Sequence, residues 1–277
     1  MTRKRSVLLH EMTRPDFQEW LAEEQSPVAI IALGSIEQHG PHLPLGTDSL
    51  AAVALARAVA EETNSVVVQP CWPGYSPHHM GFPGTITFSE DTLVAVLMDT
   101  IGSLAHHGVA KQLLINAHGG NREITAYVCR MASRRFGVQV VSPMPRVGQE
   151  MAAQLKDFVT RMDVHSGPGE TGMALYAFPE LVDMSRVENF RVTTQYPPAL
   201  RALLDPERED LDIAVQVFTS YIRNTDDFTS SGVWGFADPN AADPEVGRQR
   251  FEARVKWLVE YIRLWKTLPT IGEVYGN

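Results

Sequence analysis

Cysteine is scarce in this sequence, and so are long apolar runs and clusters of basic residues. The chain has two cysteines, Cys71 and Cys129, and no C-x-x-C pair, which argues against a disulfide framework. No apolar stretch reaches the roughly 18 residues that a transmembrane helix needs. Near the N-terminus, His10 and Glu11 interrupt the chain too early for a signal-peptide core. We therefore expect a cytoplasmic protein with no membrane partner.

The charge balance is acidic, with a formal net charge of −9 and a pI near 5.5. Beyond Arg3-Lys4-Arg5 there is no run of basic residues. Because a nucleic-acid-binding protein usually presents a basic patch, we expect no nucleic-acid partner. With 44% hydrophobic residues the chain can bury a sizeable core. We predict one domain over residues 1–277.

Several common catalytic motifs are also missing. The sequence contains no G-x-S-x-G nucleophile elbow, no G-x-x-x-x-G-K-[ST] phosphate loop, no G-x-G-x-x-G fingerprint and no H-E-x-x-H helix. What remains is a set of acidic and histidine residues that follow separate strands and turns. They are Glu37, His39, Asp48, His118, His165 and Glu170.

Apolar strands alternate with helical segments along most of the chain. The run 28–33 is apolar throughout and rich in β-branched residues, which is typical of a strand buried on both faces. Further strands are predicted over 65–70, 111–117 and 138–143. Helices are predicted over 11–23, 49–60, 92–107, 121–135 with Asn121 as its cap, 147–162, before Pro179 and after Pro244. Connections of helix length between strands indicate a parallel sheet covered on both faces.

The stretch 34–48 follows the first strand and carries Glu37, His39 and Asp48. In open α/β sheets the ligand crevice lies outside the carboxyl ends of the strands, which is where this stretch begins. Glu37 and His39 are two residues apart, so in an extended chain their side chains point to the same side. Carboxylate and imidazole groups together suit Zn²⁺, Mn²⁺ or Fe²⁺. The whole set suits a two-metal hydrolytic site in which an aspartate bridges the ions.

Four motifs together resemble those of the creatininase (creatinine amidohydrolase) family. They are residues 34–44 with Asp48, Phe82-Pro83-Gly84-Thr85, residues 116–121, and His165-Ser166-Gly167 with Glu170-Thr171. The likeness covers about residues 10 to 185. It implies an α/β fold, a three-layer α/β/α sandwich with a mostly parallel central sheet. It also implies two divalent metal ions per chain (Zn²⁺, Mn²⁺ or Fe²⁺) and a homo-oligomer, a hexamer or a trimer.

The activity implied is hydrolysis of a C–N bond in a cyclic amide or formamide-type small molecule by a water that bridges the metal ions. By the resemblance, Glu37 and His118 hold one ion, His39 holds the second, and Asp48 bridges them. The catalytic residues predicted with them are His165 or else His79 for proton transfer, and Glu170. The residues predicted to contact substrate are Ser76, His78, Gly119, Gly120 and Asn121.

The sequence departs from creatinine-cleaving members of the family at several positions. Those enzymes carry a glutamate ligand where this chain has Gly120, and Glu170 is our candidate to replace it. They also carry a glutamate where this chain has Val164, and the loop 76–79 differs. We therefore do not expect creatinine to be the substrate. Two alternatives stay open: ring opening of a non-amide ring such as a lactone or cyclic diketone, and a non-catalytic module that binds metal or a metabolite.

Overall fold

The computed structural model describes residues 4–143 and 149–276, and in these ranges four parallel strands form a sheet. The strands are β1 (Val28–Leu33), β2 (Val66–Val68), β3 (Lys111–Asn116) and β4 (Gln139–Val141). Their order in the sheet is β2-β1-β3-β4. β1 therefore lies beside β3, although β2 comes between them in the chain. Pairing runs from Val28 opposite Lys111 to Leu33 opposite Asn116, so the two strands end side by side.

Ten helices connect and cover the strands in the described ranges. They are α1 (Arg14–Glu23), α2 (Thr47–Thr63), α3 (Glu90–His106), α4 (Arg122–Phe136), α5 (Gln149–Arg161), α6 (Pro168–Ala177), α7 (Pro198–Arg201), α8 (Leu211–Ser220), α9 (Pro244–Lys266) and α10 (Ile271–Tyr275). Short 3-10 turns lie between several of them.

The sheet is covered by helices on both faces. On one face Ala29, Ile31 and Leu33 of β1 pack in a core with α1, α3 and α4. On the other face the alternate residues of β1 pack in a second core with α2 and α9. All six residues of β1 are buried, as expected for a central parallel strand. The prediction of an α/β sandwich with a parallel central sheet is confirmed.

The helix bounds differ from the predicted ones by up to three residues, as in α2, which spans Thr47–Thr63 where 49–60 was predicted. Capping side chains mark the starts of two helices. Thr13 begins α1 with a capping box to Asp16, and Ser89 caps α3 by accepting the N–H of Thr92. Three strands are shorter than predicted, over 66–68, 111–116 and 139–141. Of the helix predicted over 147–162, residues 149–161 are helical, and 147–148 lie outside the described residues.

A third apolar cluster lies apart from the sheet and joins α5 to the segment 196–236, which includes α8. Its buried members include Met162, Tyr196 and Phe218. Within this segment Trp234 forms an isolated β-bridge with His165. The cluster thereby holds the loop 225–236 against the chain that enters α6. In the described part of the chain no helix has both the length and the apolar character needed to cross a membrane.

Candidate metal centre

Three separate segments bring acidic and histidine side chains together at the carboxyl end of the sheet. Glu37 and His39 follow β1, Asp48 lies in the first turn of α2, and His118 follows β3. The exposed fraction of each residue is at most 4%. Burial of this many ionisable groups is costly unless they are paired or hold a cation, so the cluster requires a compensating partner.

A close approach between β1 and α2 positions Asp48. A Cβ atom on Gly34 would lie 2.2 Å from the backbone nitrogen of Ser49, so only glycine allows the strand to end this near the helix. The first turn of α2 is thereby pressed against the segment that carries Glu37 and His39. This contact explains why the first motif has a glycine at position 34.

The carboxylate of Asp48 lies between two imidazoles. Its Oδ1 is 3.3 Å from Nε2 of His39, and its Oδ2 is 3.1 Å from Nδ1 of His118. Glu37 also faces His118, with its Oε2 3.3 Å from the same Nδ1. Each oxygen of Asp48 thus faces a different histidine, as in a carboxylate that bridges two ions.

Two atoms of this group are buried without a hydrogen-bond partner, Nε2 of His39 and Oδ2 of Asp48. The other ring nitrogen of His39 lies 3.1 Å from the carbonyl oxygen of Glu37, to which it donates. Nε2 of His118 lies 3.0 Å from the carbonyl oxygen of Tyr75, which leaves its Nδ1 directed at the two carboxylates. Backbone carbonyls therefore fix both rings with one nitrogen facing the cluster. Since buried polar atoms are normally satisfied, these two atoms are suited to bind a ligand, and their types fit a divalent transition metal.

The electrostatics of the metal-free cluster also favour positive charge. Burial would lower the pKa of His39, but the charges of Asp48, Glu170 and Glu37 outweigh it and raise the pKa to about 10. Burial likewise opposes protonation of His118, yet the carboxylates of Asp48 and Glu37 beside its ring raise its pKa well above the ordinary value. The chain alone thus neutralises its buried carboxylates with protons on the histidines. Metal ions would take the place of those protons.

Glu170 lies at the accessible side of the cluster, with its side chain 33% exposed. Its Oε2 accepts the backbone N–H of Ser166 at 2.6 Å and lies 3.9 Å from Nε2 of His39. Desolvation raises the pKa of Glu170 to about 7. At position 120 a side chain has no room, because a Cβ on Gly120 would lie 2.3 Å from the carbonyl oxygen of Tyr75. Of these two positions, only Glu170 offers a carboxylate to His39.

His165 presents one free nitrogen to the cluster. Its Nε2 lies 2.6 Å from the carbonyl oxygen of Gln38, to which it donates. Its Nδ1 lies 3.7 Å from Glu37 Oε1 and 4.0 Å from Glu170 Oε2. Burial and the charge of His39 lower the pKa of His165 to about 3, so its free nitrogen is unprotonated. That nitrogen can accept a proton or bind a cation.

His79 is held differently. The amide of Gln38 is oriented by Gly40 N–H at its oxygen and by the carbonyl of Gly232 at its nitrogen. The same nitrogen lies 3.0 Å from Nδ1 of His79 and donates to it, so the ring proton belongs on Nε2. Nε2 is 3.3 Å from Oε1 of Glu37. In this tautomer the Nε2–H of His79 faces the Glu37 carboxylate.

The residues predicted to contact substrate fall into two sets. The Ser76 hydroxyl is fully buried and donates to Glu37, and the Asn121 amide accepts from Tyr75 N–H and donates to Gly34 C=O. These two side chains therefore support the cluster from within the protein. Asn121 was also predicted to cap the following helix, and this was wrong because its side chain is used in these contacts. His78, Gly119 and Gly120 are at least partly exposed and remain available to a substrate.

Sequence reasoning missed three side chains that hold His79 and its loop. They are Gln38, Thr85 and Thr225. Thr85 accepts the N–H of Gln38 and donates to the carbonyl of His79, which explains the threonine of the second motif. Thr225 contacts Nδ1 of His79 from 146 residues away, and no local pattern could have indicated it.

Comparison with known proteins gives relatives with different substrates. The chain is 30% identical over 192 residues to a 3-dehydro-scyllo-inosose hydrolase of Thermotoga maritima, spanning 66% of this chain and 60% of that protein. It is 29% identical to a creatinine amidohydrolase of Pseudomonas putida, over 74% of this chain and 84% of the relative. It is also 29% identical to a mycofactocin precursor peptide peptidase of Mycobacterium tuberculosis, over 88% of each.

Solved structures agree with the fold. The structure of a mutant creatininase matches 95% of this chain and 100% of its own, with a TM-score of 0.71 and 25% sequence identity. Structures of the same fold include a Zn-Zn type and a manganese form of creatininase. The sequence profile described as creatininase, creatinine amidohydrolase, matches residues 10–262. Since this match spans nearly the entire chain, the protein belongs to the creatininase family.

Proposed function

We propose that this protein is a metal-dependent hydrolase with a two-metal centre that cleaves a C–N bond of a small cyclic amide or formamide. The observation that carries the proposal is the pair of buried atoms without partners, Nε2 of His39 and Oδ2 of Asp48. We assign Glu37 and His118 to one ion, His39 and Glu170 to the other, and Asp48 to both. Divalent ions bound there would supply a Lewis acid and acidify a water molecule.

The chain's own residues then have distinct tasks. The Ser76 hydroxyl donates to Glu37, and His79 lies beside the other carboxylate oxygen, so the two fix the direction of the carboxylate. Nδ1 of His165 faces the cluster, 3.7 Å from Glu37 Oε1 and 4.0 Å from Glu170 Oε2, and from this position we propose that it takes the proton of the attacking water and passes it to the leaving nitrogen. Hydrolysis places the water oxygen on the carbonyl carbon and a proton on nitrogen. The buried walls exclude other water from the reacting atoms.

The names of the relatives set the range of substrates. A creatinine amidohydrolase, a formylamino-pyrimidine monophosphate deformylase and a peptide peptidase are all relatives, and these names fit cleavage of an amide-type C–N bond. The 30% identity to an inosose hydrolase supports the second candidate, ring opening of a non-amide ring. The oligomeric state and the cytoplasmic location stay predictions.

Metal analysis and a substrate panel test the proposal together. The full chain would be reconstituted with Zn²⁺, Mn²⁺ or Fe²⁺ and analysed by mass spectrometry for ions per chain. It would then be assayed on cyclic amides, formamides, lactones and cyclic diketones. We expect about two ions and release of an amine. Cleavage of the lactones or diketones alone would support the second candidate, and two ions without any hydrolysis would favour a binding module.

A further inference from the structure

A cavity of about 470 Å³ opens beside the metal centre, between α2, α6, α9 and the end of β3. Asp48 and Glu170 lie in its wall, so it reaches the side of the cluster where Glu170 is exposed. Much of the rest of the wall is apolar, with Leu55, Met173 and Phe251 among its residues. Its volume is typical of a pocket for a small molecule.

Two arginines of α9, Arg250 and Arg254, also line this cavity. They are four residues apart and therefore share one face of the helix. Other arginines of α9 are paired: Arg248 lies 2.6 Å from Glu245, and Arg263 lies 3.5 Å from Glu62. Within residues 4–143 and 149–276, neither cavity arginine has an acidic oxygen within 4.0 Å. Both residues are exposed as a whole, so their guanidinium groups lie at the open side of the cavity, where on a chain with a net charge of −9 they offer donors to an anionic ligand.

The surroundings of each arginine agree with this. A Cβ on Gly169 would lie 3.4 Å from Nη1 of Arg250, which places that guanidinium beside the residue preceding Glu170. The charge of Arg250 acts on Asp163 at longer range, but Asp163 already accepts the N–H of Gly169 at 2.9 Å. Arg254 is exposed as a whole residue, yet burial around its guanidinium lowers its pKa. Neither positive charge is neutralised by a close partner in the described chain.

We propose that this cavity binds an oxyanion substituent of the substrate, a carboxylate or a phosphate, through Arg250 and Arg254. Guanidinium groups bind both kinds of oxyanion through paired N–H donors, and the apolar walls strengthen that attraction. The anionic group anchors the substrate at α9 while its scissile bond reaches Asp48 and Glu170. This inference rests on the proposed function because it assigns the class of that substrate.

Binding of simple anions tests the site without any turnover. Inorganic phosphate and succinate would be titrated by calorimetry into the full chain, metal-loaded and after chelation, since bound metal ions also attract anions. We expect the double variant Arg250→Gln/Arg254→Gln to weaken binding at least tenfold in the chelated protein. The matched control Arg248→Gln, on the same helix but outside the cavity, should bind as the wild type does. The tighter probe identifies the oxyanion.

Kinetics supply the second arm, with pairs of amide substrates that differ only in carrying a neutral, carboxylate or phosphate substituent. The double variant should raise KM by 10-fold or more for the anionic member and leave kcat and the neutral member unchanged. If neither probe binds the wild type, or if the double variant binds them equally well, the anion site is overturned. Anion binding that depends on the arginines, without hydrolysis of any substrate, retains the site and overturns the proposed activity.

Discussion

The two ends of the central sheet both bury charged groups, but they satisfy them in opposite ways. At the amino end Lys111 is 1% exposed, and its ammonium group donates to Ser26 Oγ at 2.9 Å, to Trp265 C=O at 2.8 Å and to Leu268 C=O. All three of its protons are used. At the carboxyl end the imidazole of His39 and the carboxylate of Asp48 are equally buried, yet each keeps an atom without a hydrogen bond.

This difference separates groups that hold the fold from groups that await a ligand. The ammonium group of Lys111 uses all of its donors. It connects β3 to the end of α9 and contributes to stability. Buried polar atoms without partners cost stability and persist where they serve a function. The two ends therefore make contrasting predictions for substitution, since one should change stability alone and the other should change metal binding and activity.

The largest effect is expected from Asp48→Asn. The change keeps the shape of the side chain but removes the charge shared by His39 and His118, so we expect loss of at least one ion per chain. Hydrolysis should fall by roughly 10³-fold, as for loss of a main electrostatic contributor. Metal content by mass spectrometry and the initial rate on the best substrate measure this. Asp210→Asn is the control, because Asp210 is an exposed aspartate paired with Arg208. This variant should keep the wild-type metal content and rate of hydrolysis. Full activity in Asp48→Asn would exclude the metal assignment.

Lys111→Met should lower the stability of the protein and leave its metal content unchanged. Methionine fills a similar volume but removes the ammonium donor from the Leu268 carbonyl, and it leaves the Trp265 carbonyl with the N–H of Leu268 as its remaining donor. The free energy of unfolding should therefore fall by about 3 kcal/mol. Urea unfolding measures the loss, and the ions per chain should stay at the wild-type number. A variant as stable as the wild type would show that these hydrogen bonds contribute little, and lost metal would show that the two ends are coupled.

The carboxyl end was the more predictable of the two from sequence. Residues 28–33 read as a buried strand, and Glu37, His39 and Asp48 follow it within one glycine- and proline-rich stretch, so local pattern and the rule for strand ends were sufficient. β1 and β3 proved to be neighbours, which joined His118 to the same group. The motifs of the resemblance lie here too.

What could not be predicted depends on contacts between distant residues. Lys111 begins a strand like many exposed lysines, and nothing nearby indicates that Trp265 and Leu268 will accept its protons. The same holds for Thr225, which reaches His79 from a segment without clear periodicity. Asn121 precedes a helix as a cap would, but the tertiary contacts of its side chain override that local preference.

A smaller effect at the carboxyl end is expected from Glu170→Gln. Glu170 is the most exposed of the proposed ligands, and the amide oxygen can still accept the N–H of Ser166, so the loop should keep its shape. We expect the second ion to bind about tenfold more weakly, which is about 1.4 kcal/mol, while the first ion is unaffected. Titration of the chelated protein with Mn²⁺ would resolve the two affinities. If both ions weaken together, Glu170 acts on the whole cluster and not as a ligand to one ion.

The smallest effect is expected from Ser26→Ala at the amino end, which removes one of the three acceptors of Lys111 and leaves the two carbonyls. Because Ser26 is only partly buried, water can take the place of its hydroxyl, and we expect the free energy of unfolding to fall by about 1 kcal/mol. Urea unfolding beside Lys111→Met measures whether the loss is a fraction of the larger one. Combining the two substitutions should cost no more than Lys111→Met alone, since Ser26 then has no ammonium group to contact. Additive losses would mean that Ser26 stabilises the chain by another route, and the amino end would then be a set of independent contacts instead of one satisfied charge.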